Sequence, residues 1–323
     1  MGWKTMAAAV VLLTAASTTP AMAAETPHWQ VTLLPMPADV PNALAYLNGA
    51  DGHGGYVGTI GTDDRFLIVR WHCGEVVVQP GPPNGNDYPR VNGESRDGTV
   101  LVDSFTLDRA GVYHPVSTGP WRYAGPSKIG PRGDLLGAGD DPVTLSPVVL
   151  YWPSPSAEPV VLTGALPGSW PTAIDDDGTV LLGHPDGPYL LHDGVVRKLA
   201  LPEGYRNGRA DAIRHGVVVG AATPTDGPGD GGLVWASPDS PQVLPNSRYA
   251  QGLNSHGLVV GGDSNGTTAA WQDGQELGPL PGPDGLPKVF SYLVDDDGAI
   301  PGEATPATSG LGYRVAVWRP TTG

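Results

Sequence analysis

The chain has 323 residues, with 33 Asp or Glu against 18 Lys or Arg, so its formal net charge is −15 at pH 7. Such acidity argues against binding to nucleic acid or to an anionic membrane, because both attract clustered Lys and Arg. The single cysteine excludes an internal disulfide, so the stability of the fold must come from packing.

The first 23 residues are typical of an export signal. Lys4 precedes an apolar run from Met6 to about Ala16, and Ala21-Met22-Ala23 has the small residues of a cleavage site. The apolar run is too short to span a bilayer as a helix. We therefore predict a secreted, extracellular protein whose mature chain covers residues 24–323, and we expect it to be a monomer.

The rest of the chain repeats one unit seven times. The clearest copy, Arg248 to Gly282, divides into QGLN, a Ser-His-Gly turn, LVVGG, TTAAW, a QDG turn and QELGPL. Turn glycines recur at intervals of 35 to 45 residues, at Gly98, Gly133, Gly178, Gly216, Gly257 and Gly298. The copies cover about residues 43–80, 88–119, 127–164, 170–202, 209–245, 248–282 and 288–318.

Each unit contains four strand-length runs rich in Val, Ile, Leu, Tyr and Trp, without the i, i+3, i+4 pattern of a helix. A β-propeller blade has four antiparallel strands in about 40–45 residues. The second run is apolar throughout, as expected for a strand that is covered on both faces. The repeats therefore predict an all-β, single-domain, seven-bladed β-propeller.

The two ends of the chain predict how the ring closes. Only five residues follow Val317-Trp318, so the seventh copy lacks a fourth strand. Residues 28–37, HWQVTLLPMP, are similar to the fourth strands of other copies. We predict that this N-terminal strand completes the last blade, which would remove an open edge that could pair with another chain.

The repeat also resembles a known family. Gly252-Leu253-Asn254, the turn and strand from Gly257 to Gly261, and the AAWQDG segment from Ala269 to Gly274 resemble the HAF-type extracellular repeats of bacteria. Copies two and four lack the Trp and have Tyr113 and His192 nearby. The resemblance implies an exported, propeller-like protein, and it carries no catalytic residues that could be transferred.

Two runs of three aspartates, residues 175–177 and 295–297, could bind a metal or serve the fold. Each run falls in the turn between the first and second strands, where other copies have NSHG, GPRG or SRDG. An EF-hand-type calcium loop would require acidic ligands where Ala173, Leu293, His184 and Ala304 stand. Asp before Gly is favoured in tight turns, so we interpret both runs as turns and predict neither a metal site nor a cofactor.

Three other motifs could suggest chemistry. The eight histidines show no metal-binding spacing, and we expect most of them to be exposed. Gly262 to Gly266 matches the G-x-S-x-G pattern, but a strand-like run follows Ser264 where a nucleophile elbow requires a helix. Cys73 follows His72, which could activate a thiolate, although a half-buried, inert thiol is the alternative we favour. The sequence thus predicts no catalytic residue.

The long connections predict the location of a binding site. The connections between the second and third strands and between units are long, so they should emerge together on one face, where binding residues are usually found. Aromatic and Arg residues ahead of the innermost strands could form a ligand platform, or the aromatics could be wedges between blades. The candidates are Tyr88, Trp121, Tyr123, Trp170, Tyr205, Arg206, Arg209, Tyr249 and Phe290.

Two functions follow from these observations. The first is a secreted binding or scaffold protein that engages a glycan, peptide or small molecule on its long-loop face. The second is a metal-assisted lyase or hydrolase that uses Asp or His side chains at the mouth of the central channel. Propellers support both classes, so the fold alone does not choose between them.

Overall fold

The computed structural model describes residues 28–308 and 313–321, which form seven four-stranded antiparallel sheets and contain no helix. The innermost strands of neighbouring sheets contact one another around a central channel. This arrangement confirms the predicted all-β, seven-bladed propeller. The predicted signal peptide lies outside the described residues, and within them no helix is long and apolar enough to cross a membrane.

The strands of the first three blades, from the innermost to the outermost, follow the order of the chain. Blade 1 contains β2 (Leu44–Ala50), β3 (Tyr56–Gly61), β4 (Phe66–His72) and β5 (Glu75–Val78). Blade 2 contains β6 (Val91–Glu94), β7 (Val100–Val102), β8 (Phe105–Leu107) and β9 (Tyr113–Pro115). Blade 3 contains β10 (Arg122–Ile129), β11 (Leu135–Asp140), β12 (Pro147–Trp152) and β13 (Val160–Val161).

The next three blades have the same order. Blade 4 contains β14 (Trp170–Ile174), β15 (Val180–Gly183), β16 (Tyr189–His192) and β17 (Val195–Lys198). Blade 5 contains β18 (Tyr205–Arg214), β19 (Val217–Pro224), β20 (Gly231–Trp235) and β21 (Pro241–Val243). Blade 6 contains β22 (Ser247–Leu253), β23 (Leu258–Asp263), β24 (Thr268–Gln272) and β25 (Gln275–Pro279).

The seventh blade is built from both ends of the chain. It contains β26 (Lys288–Phe290), β27 (Ile300–Thr305), β28 (Arg314–Thr321) and, as its outermost strand, β1 (His28–Leu33). β1 pairs antiparallel with β28 over six residues, from His28 opposite Thr321 to Leu33 opposite Ala316. The predicted ring closure by the N-terminal strand is therefore confirmed.

A buried Trp on the third strand ties five of the blades to the blade before them. Each indole Nε1–H donates to a backbone carbonyl that follows the outermost strand of the preceding blade, at 2.6 to 3.0 Å. The pairs are Trp71 with Pro35, Trp152 with Ser117, Trp235 with Ala200, Trp271 with Pro245, and Trp318 with Pro281. The repeated Trp thus fills the space between blades and satisfies its own polar atom.

Blades 2 and 4 have leucine at the position of this Trp. Leu107 lies opposite Val100, and Leu191 lies opposite Val180, as Trp71 lies opposite Tyr56 in blade 1. Neither Tyr113 nor His192, the residues near the missing Trp in the sequence, occupies that position. Leucine is smaller than tryptophan and has no indole N–H. In blade 2 the Tyr113 hydroxyl makes the equivalent bond instead, because it donates to the Pro80 carbonyl after the outermost strand of blade 1, at 2.8 Å.

The propeller has two different faces. We call the face with the blade-to-blade and second-to-third-strand connections the long-loop face. The opposite face, which we call the turn face, carries the short turns between first and second strands and between third and fourth strands. Both runs of three aspartates lie on the turn face, between β14 and β15 and between β26 and β27.

Candidate functional site

The structure distributes the candidate aromatic residues around the long-loop face. Tyr123, Trp170, Tyr205, Tyr249 and Phe290 lie on innermost strands, and Tyr88 and Trp121 precede them. Tyr123 is 82% exposed, with its ring 5.5 Å from the Arg122 guanidinium, and Trp170 is 51% exposed. Arg209 lies 6.0 Å from the ring centre of Tyr249, and Arg206 is exposed. These residues do not converge on one point.

Several of the candidate aromatics cover glycines of their own blade. The rings of Trp170 and Tyr249 occupy the space that a Cβ would require at Gly183 and Gly262, which lie opposite them on the second strands. The ring of Tyr205 covers Gly231 in the same way. These contacts assign to the three side chains a packing role within their blades.

Tyr88 belongs to an aromatic cluster at blade 1. Its ring is 5.5 Å from that of Phe66 in an edge-to-face arrangement, and Phe66 is 6.3 Å from Tyr46. Tyr46 also contacts Tyr313 of blade 7, with ring centres 5.3 Å apart. The innermost strand β2 alternates, because Ala45 and Leu47 are buried while Tyr46 and Asn48 are partly exposed. The cluster therefore lies where β2 reaches the long-loop face.

A cavity of about 450 Å³ opens beside this cluster, and we call it the long-loop pocket. Tyr46, Phe66 and Tyr292 supply aromatic surface, and Asn48, Asn92, Arg90 and Glu303 supply polar groups. Asn48 uses only Oδ1, which accepts from Thr59 Oγ1 at 3.2 Å. Among the described residues no partner bonds to the side-chain amide of Asn92. The pocket thus combines aromatic faces with amide groups that are free to bind a ligand.

Glu303 is fixed at the wall of the long-loop pocket. Its Oε1 accepts a hydrogen bond of 2.9 Å from the backbone N–H of Leu47, and the Tyr292 hydroxyl donates to the carbonyl of the same residue. Burial raises the pKa of Glu303, although the Leu47 N–H opposes the shift. Burial also raises the pKa of Tyr292 above its ordinary value near 10. Both side chains are held in place before any ligand binds.

On the turn face, the two runs of three aspartates occupy tight turns, as expected, and their members have separate tasks. Asp175 accepts from the backbone N–H groups of His215 and Gly216 in the next blade, at 2.9 and 2.6 Å. Asp177 and Asp297 accept from backbone N–H groups two residues ahead, at 2.8 and 2.9 Å. The first Asp therefore joins blades, and the third Asp stabilises the turn itself.

The middle aspartates meet across the channel. Asp176 and Asp296 alternate with Arg96 and Arg214 in a charge quartet contributed by blades 4, 7, 2 and 5. The Arg96 Nη2 atom lies 2.8 Å from Asp176 Oδ2 and 3.6 Å from Asp296 Oδ2. Arg214 lies 3.4 Å from Asp176 and also bonds Asp296. The quartet closes the channel mouth with two positive and two negative charges.

The surroundings of Asp296 favour its ionised form. Partial burial of Asp296 opposes its ionisation, but the Ser255 backbone N–H and the Arg214 guanidinium outweigh burial and lower its pKa to about 2. His215 Nε2 lies 3.1 Å from Asp176 Oδ2. Each middle aspartate is paired with arginine through its Oδ2 atom, and Asp176 Oδ1 is buried without a hydrogen-bond partner. In the described ranges, 28–308 and 313–321, no three His, Cys, Asp or Glu side chains are placed to hold a metal ion.

The remaining motifs have structural positions that explain them. Asp263, within the G-x-S-x-G match, caps the turn by accepting from the N–H groups of Asn265 and Thr267, and strand β24 follows. Cys73 is exposed, not half-buried as expected. Cys73 and Gly74 form the two-residue turn between β4 and β5, both with positive φ, and such a turn projects away from the blade.

Comparisons with known proteins support the fold. No protein-family model matches the chain, and no curated protein matches it. Among solved structures, the chain is similar to an oligogalacturonate lyase from Vibrio parahaemolyticus, with a TM-score of 0.59 and 12% identity over 90% of this chain and 97% of the lyase. It is also similar to YCF48 bound to a D1 peptide, with a TM-score of 0.52 and 14% identity over 94% and 98% of the two chains.

A third similar structure is the β-propeller domain of the Trilobed protease from Pyrococcus furiosus, which is described as having an open Velcro topology. Its TM-score is 0.55 and its identity 13%, over 87% of this chain and 97% of the domain. All three identities are low, so these similarities establish the propeller fold and no more. These similar structures include an enzyme and a peptide-bound protein, so the comparisons do not choose between an enzyme and a binding protein.

Proposed function

We propose that this protein is a secreted binding protein that holds a glycan in the long-loop pocket. The supporting observation is the combination of Tyr46, Phe66 and Tyr292 with the free amide of Asn92 in one cavity of about 450 Å³. Sugars present apolar C–H faces that pack on aromatic rings, and hydroxyls that bond to amides and carboxylates. The volume lies within the usual range for a small-ligand site, about 300–1,000 Å³.

Glu303 and Asn48 favour a ligand that carries hydroxyl groups. Glu303 uses one carboxyl oxygen on the Leu47 N–H, and Asn48 uses only Oδ1, which leaves its NH₂ group free. A sugar hydroxyl can donate to the carboxyl and accept from the amide at the same time. An apolar ligand would leave these groups without water or partners, which costs about 1–3 kcal/mol for each buried group. The polar wall therefore favours a polyhydroxylated ligand.

Binding of soluble oligosaccharides to the mature chain tests the proposal. Calorimetry with a panel of neutral and acidic oligosaccharides should identify one that binds, and Asn92→Ala should weaken it at least about tenfold. Tyr123→Ala is the matched control, because Tyr123 is an exposed aromatic on the same face outside the pocket. Equal losses from both substitutions, or binding that Asn92→Ala leaves unchanged, would refute the assignment of the pocket.

The enzymatic alternative receives less support from the geometry. Its expected location was the channel mouth, where Asp176 and Asp296 are paired with Arg96 and Arg214. Chemical change of a bound oligosaccharide, followed by mass spectrometry, would nevertheless favour the enzyme. Peptide binding at the same pocket would support a binding protein with a different ligand class.

Export is part of the proposal. The N-terminal signal pattern and the resemblance to HAF-type repeats support a secreted protein, and the acidic composition suits an extracellular medium. The five Trp residues that join blades correspond to the Trp of that repeat. Expression of the full chain with its first 23 residues, followed by N-terminal sequencing of protein in the medium, tests both the export and the cleavage after Ala23.

A further inference from the structure

A carboxyl group without a hydrogen bond lies on the side of the molecule opposite the long-loop pocket. The side chain of Glu94, at the end of β6, is only 4% exposed. Its Oε2 has no hydrogen-bond partner, and its Oε1 has only Arg70 Nη1 at 3.9 Å, which is beyond hydrogen-bond distance. Buried polar groups are nearly always bonded, so an exception of this kind calls for an absent partner.

Glu94 forms part of the walls of two cavities. One, of about 220 Å³, lies in the central channel beside the charge quartet, and the other, of about 320 Å³, lies between blades 1 and 2. We call the second the blade 1–2 cavity. Val77, which is 54% exposed, lies beside Arg70 on the blade 2 side of the sheet, and His72, Cys73 and Glu75 lie towards the turn face. A short aliphatic chain can therefore lie along Val77 with its end at Glu94.

The cavity occurs at an interface where the repeated Trp is missing. In blade 2 the position holds Leu107, which packs with Val57 and Ile68 of blade 1. Tyr113 replaces the missing indole bond, because its hydroxyl donates to the Pro80 carbonyl at 2.8 Å. Arg70 Nη2 donates to the carbonyls of Leu107 and Asp108, both at 2.9 Å, and these bonds hold Arg70 Nη1 at 3.9 Å from Glu94 Oε1.

The charges around Glu94 do not balance. Asp51 and Asp295 are the other carboxyls, and Arg70 and Arg109 are the cations that act on Glu94. With every group ionised, three carboxylates face two guanidinium groups. The channel arginines are matched by Asp176 and Asp296, and Lys128 acts on Asp211. Burial raises the pKa of Glu94 and that of Asp295 to about 7 each, so a proton supplies the missing positive charge near neutral pH.

We propose that the blade 1–2 cavity binds a primary ammonium group on an apolar stem, with Glu94 as its carboxylate partner. The ammonium group supplies both the missing positive charge and hydrogen bonds to the unpartnered carboxyl oxygens. The stem packs against Val77. A lysine side chain of a peptide and a free alkylamine share this chemistry.

NMR of the mature chain at pH 8 with n-butylammonium chloride tests the proposal. The backbone N–H groups of Cys73 and Val77, residues that line the cavity, report on occupancy. We expect saturable binding in the millimolar range, and at least about tenfold weaker binding of the uncharged isostere 1-butanol. Equal binding of the two compounds would overturn the proposal.

Two substitutions assign the binding to Glu94. Glu94→Gln should weaken butylammonium at least about tenfold, because it removes the charge and keeps the shape. Glu75→Gln, at the exposed entrance, removes the same charge and should change binding less than about twofold. If both variants bind as tightly as the unsubstituted protein, or both are weakened equally, the assignment fails.

A third substitution tests the cavity itself. Val77→Trp, at an exposed position on the cavity wall, would fill part of the cavity, so butylammonium binding should weaken at least about tenfold while the fold persists. Oligosaccharide binding at the long-loop pocket, on the opposite face, should be unaffected. Unchanged amine binding by folded Val77→Trp protein would place the site elsewhere and overturn the proposal.

Discussion

Arg96 of blade 2 and Asp176 of blade 4 face each other across the central channel, with Nη2 and Oδ2 2.8 Å apart. They are 80 residues apart in the sequence. Together with Arg214 and Asp296 they join four of the seven blades at the channel mouth. An interaction of this kind stabilises the ring, because none of these four blades can move outward without separating opposite charges.

Asp176→Asn should therefore destabilise the ring. The substitution leaves Arg96 and Arg214 with Asp296 as their one shared carboxylate, and we expect a loss of about 2 kcal/mol in the free energy of unfolding, between the values for exposed and buried pairs. Urea denaturation at low and high salt measures it, and high salt should reduce the difference. Asp193→Asn, which removes a carboxylate that is 91% exposed and lies 3.5 Å from His192 Nε2, is the control and should leave the melting temperature unchanged.

Asp295 should make the protein less stable as the pH rises. Burial raises its pKa to about 7, so the folded state binds a proton more tightly than the unfolded state, whose carboxyl has an ordinary pKa near 4. Stability should fall between about pH 4 and pH 7, by on the order of 1–3 kcal/mol, and then level off. Glu94 acts in the same direction.

Asp295→Asn provides the test of this pH dependence. The amide oxygen can still accept the Tyr56 hydroxyl, which donates to Asp295 Oδ2 at 3.0 Å. The variant should lose less stability than the unsubstituted protein between pH 5 and pH 8 in chemical denaturation. Parallel curves for the two proteins would contradict the assignment.

The buried tryptophans should contribute to stability through their indole N–H as well as their volume. Trp271→Phe removes the bond to the Pro245 carbonyl and part of the ring, so we expect a loss of about 2–3 kcal/mol. Trp170→Phe is the control, because the Trp170 ring is half exposed. Thermal unfolding of the two variants distinguishes a specific bond from a general effect of ring size.

The exposed aromatics of the long-loop face give a separate test of ligand binding. If Trp121, Trp170 and Tyr205 only pack, their replacement by Ala should lower the melting temperature in proportion to their contacts. Trp121 and Tyr205 should then cost more than Trp170, since both pack against core clusters. Loss of oligosaccharide binding without loss of stability would instead assign them to the ligand.

Removal of residues 28–37 should open the last blade. Without β1, the β28 strand loses its outer partner, and the backbone groups that pair with His28 to Leu33 become a free edge. Such an edge pairs with other chains, so we expect a lower melting temperature and concentration-dependent aggregation, measurable by light scattering. A monomer with an unchanged melting temperature would show that β1 is dispensable.

The repeats could be predicted from sequence because their signals are local. Turn glycines such as Gly257, the apolar second strands and the recurrent Trp each follow from a few adjacent residues. The charge quartet could not be predicted in this way, because its members come from blades 2, 4, 5 and 7. Only the ring geometry shows that the middle Asp of each run points to the same place as Arg96 and Arg214.

The pocket residues illustrate the same limit, with one exception. Glu303 lies in the second strand of blade 7, where the repeat predicts apolar residues, and its partner Leu47 is 256 residues away in the sequence. Tyr46 and Asn48 could have been found, since strand β2 alternates buried Ala45 and Leu47 with more polar neighbours. Tyr46 lies within its innermost strand, whereas the aromatic residues predicted to bind a ligand, such as Trp170, lie at or before the start of theirs.

The pairing of β1 with β28 also determines the order in which the molecule can be completed. His28 meets Thr321, so strand β1 has no partner until β28 has been made. A chain that stops before β28 cannot close its ring, however well its first six blades fold. The seam between β1 and β28 therefore acts as a length check, because a chain truncated before β28 keeps an unpaired β1 whose free backbone groups are open to pairing and proteolysis.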